Sequence, residues 1–362
     1  MAFRLIMAFV LLVALGACGT ADESGDAAAP TEATSTSKAP AVVVTSMTTA
    51  PATTTTTFSP EIPDAEAYLL EAMDIVEAGA LFSDAIEWET RRDQARSVAA
   101  SATKASELHT FLRRLLRDLG DDQSFLVTSD EAEQEADINN APPEVALVEE
   151  RIGYVRVPWF FGDIDADAYA EDLQGAIAEV DQEGVCGWVV DLFAAKGGNP
   201  FPALSGIGPL LGVATEDPGD QMDGVVGHFA FENGEEIPVR YHNGVSYWND
   251  EPYVTVSEPY TVRDPEAPIV VLMGSRTQGT GEFLAISFIG RPNTWTFGFP
   301  TAGTPAANFD WSLSDGAVMY IAAATMADRT GHVYDPSASL IPDQEGSKLD
   351  AIAWLLAQPA CQ

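Results

Sequence analysis

The sequence predicts an α/β protein preceded by a helical segment, and three observations carry that expectation. Residues 63–119 repeat apolar side chains at helical spacing. From Arg151 onward, short apolar runs alternate with longer amphipathic stretches, as strands alternate with crossover helices. The runs at 187–192 and 269–273 read as buried strands that leave through glycine-containing loops.

Within the helical segment, Leu69, Leu70, Met73, Ile75 and Val76 supply one apolar face, and Leu108, Phe111, Leu112, Leu115 and Leu116 another. Arg113, Arg114 and Arg117 crowd the last turn, where the helix dipole favours cations, and Gly120 stops the helix. An acidic loop over 126–150 follows. The α/β part, 151–362, then reads as a strand at 152–157, a helix at 167–180 and the buried strand at 187–192. Residues 224–256 form hairpins with turn signals at Asn233-Gly234 and Asn243-Gly244. Next come the core strand at 269–273, a helix from about Glu282 to Ile289, a strand near Thr294, strands over 317–325 and a last helix at 347–357. Asp163, Asp165 and Asp167 alternate like the start of a calcium loop, but its sixth and twelfth positions are Ala168 and Gln174, so they read as an acidic helix start.

Acidic residues number 55 against 18 Lys plus Arg in 362 residues, a formal charge of −37. Such a field repels nucleic acid and anionic membrane and favours cationic partners. Residues 1–18 read as an export signal, with Arg4 before an apolar run too short to span a bilayer. Leu15-Gly16-Ala17-Cys18 resembles a bacterial lipobox, which makes Cys18 a lipidation site and the protein exported and lipid-anchored to the cell membrane; ordinary secretion with cleavage near Ala17 is the alternative. Residues 19–60 are rich in Thr, Ala and Pro and read as a disordered tether, leaving 61–125 as an N-terminal helical subdomain. Cys186 and Cys361 remain, as one disulfide or two separate thiols. None of the four histidines, His109, His228, His242 and His332, has metal-ligand spacing to another, and the chain calls for no metal or cofactor.

Chemistry concentrates around Thr277-Gln278-Gly279-Thr280-Gly281-Glu282, a tight turn between the core strand and an apolar helix. Strand, turn and helix in this order present a nucleophile at the tip of a turn. The stretch resembles the tail-specific, or carboxyl-terminal processing, serine proteases and their retinoid-binding-protein-like relatives, whose turn reads T-A-S-S-G-E. On that pattern Gly279 takes the nucleophile's place and Thr280 that of the second serine. Gly298-Phe299-Pro300-Thr301-Ala302-Gly303 is similar to G-E-P-T-A-G, and Thr304 stands where a Ser-Lys dyad would place lysine. Residues 186–199 resemble C-G-W-I-V-D-L-R-G-N-x-G-G-N with Phe193-Ala194-Ala195 in place of R-G-N, and residues 119–125 resemble L-G-D-G-H-S-F with Gln123 in place of the histidine base. His332, in a stretch similar to D-R-T-G-R-x-Y, replaces an arginine.

The resemblance implies a ClpP/crotonase-like core with an N-terminal helical subdomain, and no inserted peptide-binding domain, since residues 129–150 are too few for one. It marks Gly279, Gln123, Ser124 and Asp328 as vestigial catalytic positions, and Gly197, Gly198, Thr280 and Lys196 as the lining of an oxyanion or ligand cleft. Gly279 also has a plain reading, as the glycine of a turn needing positive φ, and Lys196 as a solvated loop lysine. An amide has no usable pKa near neutrality, so Gln123 cannot serve as a base. The expectation is a catalytically inactive, membrane-anchored pseudopeptidase that binds a polypeptide or a hydrophobic ligand. The alternative is an active serine-type endopeptidase with a non-standard nucleophile such as Thr280 or Ser275.

Overall fold

The computed structural model describes residues 64–131, 142–158, 165–212 and 224–362, all within one compact unit. The export signal, Cys18, the tether and Asp163 lie outside the described residues.

Three helices open the described chain: α1 (Ala65–Gly79), α2 (Trp88–Ser101) and α3 (Ala105–Leu119). Asp64 caps α1 by accepting from the Ala67 N–H, and Gly120 ends α3 at φ 81°. The buried face of α1 is Tyr68, Leu69, Ala72, Met73 and Val76; Leu70 and Ile75, expected there, are only partly covered. Leu69, Met73 and Val76 are buried as expected, and Tyr68 and Ala72 complete the face. On α3 all five expected apolar residues are buried.

Thirteen strands occur among the described residues, in two sheets. One is ordered β13-β10-β9-β4-β3-β2, with β2 (Glu144–Val148), β3 (Ile152–Arg156), β4 (Gly187–Asp191), β9 (Ile269–Met273), β10 (Thr294–Gly298) and β13 (Gln344–Glu345). It is parallel except for the β2–β3 pair. The crossovers are helical: α4 (Ala166–Asp181) joins β3 to β4, and α6 (Thr280–Ile286) joins β9 to β10. The second sheet holds β1 (Phe125–Val127), β5 (Val225–Ala230), β6 (Glu236–His242), β7 (Val245–Trp248), β8 (Glu251–Thr255), β11 (Ala306–Ser312) and β12 (Val318–Asp328), all antiparallel. Asn243 and Gly244, both at positive φ, close the β6–β7 hairpin as the Asn-Gly signal requires.

Two corrections follow. Residues 126–150 are not loop throughout: β1 ends at Val127, and β2 pairs with β3 from Glu144 to Val148. A short helix, α5 (Pro200–Gly206), fills the glycine-rich exit of β4, with Asn199 capping it and Pro200 at its first position.

The parallel sheet is covered on both faces. Val155, Leu173, Trp188, Val190, Val271 and Phe283 belong to the main core with α4, α5 and α6. On the other face, Ile152, Val189, Val270, Leu272 and Phe297 meet Ile352 and Leu355 of α7 (Lys348–Leu356). Cys186 and Cys361 are joined by a disulfide on that face, which ties the chain's end to the entrance of β4. The N-terminal helices form a separate core with Leu126, Met319 and Ile321 of β1 and β12.

Candidate vestigial active site

The turn after β9 is built by a buried carboxylate. Glu282, 0 % exposed, accepts from five donors: the N–H groups of Gly279, Gly303 and Thr304 and the hydroxyls of Thr301 and Thr304. With both oxygens engaged in this way the carboxylate fixes the turn and the 301–304 loop to each other. Further braces run from the Thr277 hydroxyl to the Leu192 carbonyl, and from the Gln278 N–H to the Ala195 carbonyl. At Gly281 only glycine fits, because a Cβ there would lie 2.2 Å from the Ala195 oxygen.

Gly279 sits at the tip with φ 50° and ψ −107°, outside the regions an ordinary side chain prefers. The space its missing Cβ would take is open: the nearest atoms are Gln123 Oε1 and Gly197 Cα, each 3.7 Å away. The fold thus brings Gln123, Gly197 and Gly279 together from three separated segments. A side chain at 279 is excluded by nothing packed against it.

Gln123 reaches the turn from the loop between α3 and β1. Asp121 organises that loop by accepting from the N–H groups of Gln123 and Ser124 and from the Ser124 hydroxyl. The Ser124 Oγ in turn accepts from the Ala322 N–H, and Asn308 Nδ2 donates to the Gln123 carbonyl. The backbone of Gln123 is therefore pinned to β12 and β11, whereas its side-chain Nε2 is buried with no partner among the described residues. Ser124 acts as a brace for this loop. Asp121 and Asn308 carry no site signal in the sequence beyond Asp121's place in the L-G-D pattern.

Asp328 stands apart from this group. Its carboxylate accepts from the Thr330 N–H and hydroxyl, the His332 N–H and the Tyr334 hydroxyl, closing its own turn after β12. Burial and then the Asp328 charge push the Tyr334 phenol well above its ordinary range. Both oxygens of Asp328 are thus occupied within its own turn, which gives it a structural role. His332 is exposed, edge-on to Tyr334, and also far from a base's place.

The other candidate groups are either hydrogen-bonded or exposed. The Thr280 hydroxyl donates to the Gly198 carbonyl, which ties the turn to the glycine loop and engages its proton. Thr304, at the position of a dyad lysine, is buried with its hydroxyl on Glu282. Ser275 is exposed, and Lys196 is exposed with no ion pair among the described residues. Among the described residues no cluster of His, Cys, Asp or Glu is arranged to hold a metal ion. A cavity of about 350 Å³ does occur, but beyond the C-terminal end of α6, lined by Met273, Phe288, Thr294, His332, Tyr334 and Asp343 among others; the Gly279 turn does not line it.

The chain is similar along most of its length to known proteins. It is 26% identical over 299 residues to a nisin-resistance protein of Lactococcus lactis subsp. lactis, covering 82% of this chain and 88% of that one. The fold matches that of a lipoprotein from Streptococcus agalactiae, with a TM-score of 0.65, 22% identity and coverage of 83% and 99% of the two chains. A photosystem II D1 C-terminal processing protease matches with a TM-score of 0.50 and 14% identity, covering 83% of this chain and 99% of that one. The family model of peptidase family S41 matches residues 151–345, from the first parallel strand to β13, and with more than half of its length matched the protein belongs to that family.

Proposed function

We propose that this S41-family protein is an exported lipoprotein that no longer cleaves peptides and acts by binding an extended polypeptide at the vestigial site. The observation that carries the reading is the pairing of Gly279 with Gln123: the turn that would present a nucleophile ends in a glycine, and the group facing it is an amide. Around that pair the scaffold is intact, from the Glu282 network to the brace between Thr280 and Gly198. In the subtilisin case, losing serine or histidine alone costs about 10⁶ in kcat, and backbone donors and binding retain only about 10³–10⁴ over water. A site lacking both groups keeps binding without useful turnover.

A polypeptide is favoured over a small hydrophobic ligand because the cavity of about 350 Å³ beyond the C-terminal end of α6 is not lined by the Gly279 turn. The relative named for nisin resistance points the same way, and the charge of −37 favours a cationic polypeptide. The core is taken to be of the ClpP/crotonase type, and the anchor is Cys18, in keeping with a structural relative that is a lipoprotein. Among the described residues no helix is long and apolar enough to cross a membrane.

The test incubates purified protein with nisin and with unfolded casein and follows both binding, by fluorescence anisotropy, and cleavage, by mass spectrometry. Binding without new peptide termini is expected, together with no labelling by a fluorophosphonate. Stoichiometric labelling at Thr280 or Ser275 would establish the enzyme reading instead. The double substitution Gln123→His with Gly279→Ser, for which the space exists, is expected to restore measurable hydrolysis. Mass spectrometry of the membrane fraction should find a diacylglyceryl group on Cys18; a mature chain starting elsewhere refutes the anchor.

A further inference from the structure

At the carboxyl ends of the parallel strands, the register runs from β4 through β9 to β10. Asp191 of β4 pairs with Leu272, and Gly298 of β10 with Met273. The ladder continues one step on each side, through bonds from the Leu192 N–H to the Leu272 carbonyl and from the Phe299 N–H to the Met273 carbonyl. Phe193, in the turn that leaves β4, and Phe299, just past the end of β10, therefore lie on the two sides of Gly274. Gly274 leaves room for this: a Cβ there would come within 2.4 Å of the Phe193 ring, so the ring lies over the glycine.

Both rings face solvent to a large extent, Phe193 at 40% and Phe299 at 49%. Exposed single phenylalanines are ordinary, but two on adjoining strand ends, at the place where open α/β sheets receive ligands, mark an interaction surface. The aligned motif strengthens the point. Phe193 replaces the arginine of R-G-N and Phe299 the glutamate of G-E-P-T-A-G, so both positions have changed from charged to aromatic. The loops of this edge also bear Lys196 and Arg276, both exposed and without a salt bridge among the described residues, so a cationic side chain finds no attraction here. An apolar one does.

We infer that Phe193 and Phe299 form an aromatic seat for an apolar side chain of the bound polypeptide and so determine which sequences this protein selects. The inference rests on the polypeptide-binding reading and deepens it. The seat lies beside the Gly279 turn, because Ala195, two residues after Phe193, accepts from the Gln278 N–H, and Gly274 and Thr277 open the same turn. A side chain entering the seat would leave its own backbone running toward Gly279.

The experiment immobilises the protein and offers it a tryptic digest of β-casein, with the captured peptides identified and counted by mass spectrometry. Wild type is expected to enrich peptides bearing Phe, Tyr, Leu or Ile by about threefold over the digest, a discrimination of the size one apolar pocket provides. The Phe193→Ala/Phe299→Ala variant should lose that enrichment while still capturing peptides, and Gly274→Ala, which displaces the Phe193 ring, should reduce it. Because both rings are exposed, thermal melting should be unchanged in the double alanine variant, which separates selection from folding. An unchanged peptide profile in that variant overturns the seat and leaves the binder reading standing. Failure of wild type to capture any peptide overturns both.

Discussion

The two sides of the candidate site are built differently. On the sheet side, the Gly279 turn is held by a buried carboxylate with five donors and by glycines that close packing demands. On the helical side, the Gln123 loop has a pinned backbone but a side chain whose buried nitrogen has no partner among the described residues. The difference shows which parts of an active site also serve the fold. Glu282 and Gly281 cannot change without a clash or a lost network, whereas a side chain at 279 meets backbone strain but no packed atom, and a base at 123 would replace a side chain whose buried nitrogen has no partner among the described residues. Catalytic side chains can thus be lost from a scaffold that keeps its shape.

The largest effect that would sharpen this contrast belongs to Glu282. Glu282→Gln turns two acceptor oxygens into one acceptor and one donor, which then faces N–H and O–H groups that donate to the carboxylate. Hydrogen bonds to a charged group contribute about 1.5–3 kcal/mol each, and leaving buried donors unmatched is costly. A loss of about 3 kcal/mol in unfolding free energy is expected, measured by denaturant titration. A loss under about 1 kcal/mol would mean that the turn is held by other means.

An intermediate effect concerns how the helices carrying Gln123 are held to the sheet. Asp315, in the turn between β11 and β12, accepts from His109 on α3 at 2.6 Å and from the Tyr68 hydroxyl on α1 at 3.0 Å. Burial pushes its carboxyl up, but the bonds from His109, the Ala317 N–H and Tyr68 outweigh burial and hold it below the ordinary carboxylate range. A depressed folded value gives stability that is fully present above the unfolded value, near 4, and is lost as pH falls through the folded one. Melting temperature should therefore drop below about pH 4, and Asp315→Asn should flatten that drop while lowering stability at pH 7. If the variant melts with the same acid dependence as wild type, this contact does not govern the docking.

Legibility in the sequence followed the same division. The β9 strand, the turn and α6 were readable because an apolar run ending in glycine and a glutamate before an apolar helix are physical demands of that turn. The Asn243-Gly244 hairpin and the Gly120 stop were readable for the same reason. By contrast, β2 was hidden in an acidic stretch, since its apolar run Val145-Ala146-Leu147-Val148 is short, is bracketed by Glu144, Glu149 and Glu150, and is only partly covered at the sheet edge. Strand β11, which alternates half-buried and exposed residues through Ala306-Ala307-Asn308, carries a similarly weak pattern and went unmarked. That Gln123 meets Gly279 across more than 150 residues came from the resemblance alone; no local rule pairs them.

The smallest expected effect cuts most directly at the contrast between the two sides. Gln123→Met keeps the length of the side chain and removes its amide, the group left buried without a partner. A buried unsatisfied polar group costs about 1–3 kcal/mol, and its replacement by an apolar group of similar shape is near neutral or stabilising. Thermal and denaturant unfolding should thus show no loss, or a gain of up to about 1 kcal/mol. A loss of more than about 1 kcal/mol would show that the amide has a partner and that Gln123 is as much a part of the fold as Glu282. The helical side of the site would then be fixed by folding too, and the freedom to lose a base there would need another cause.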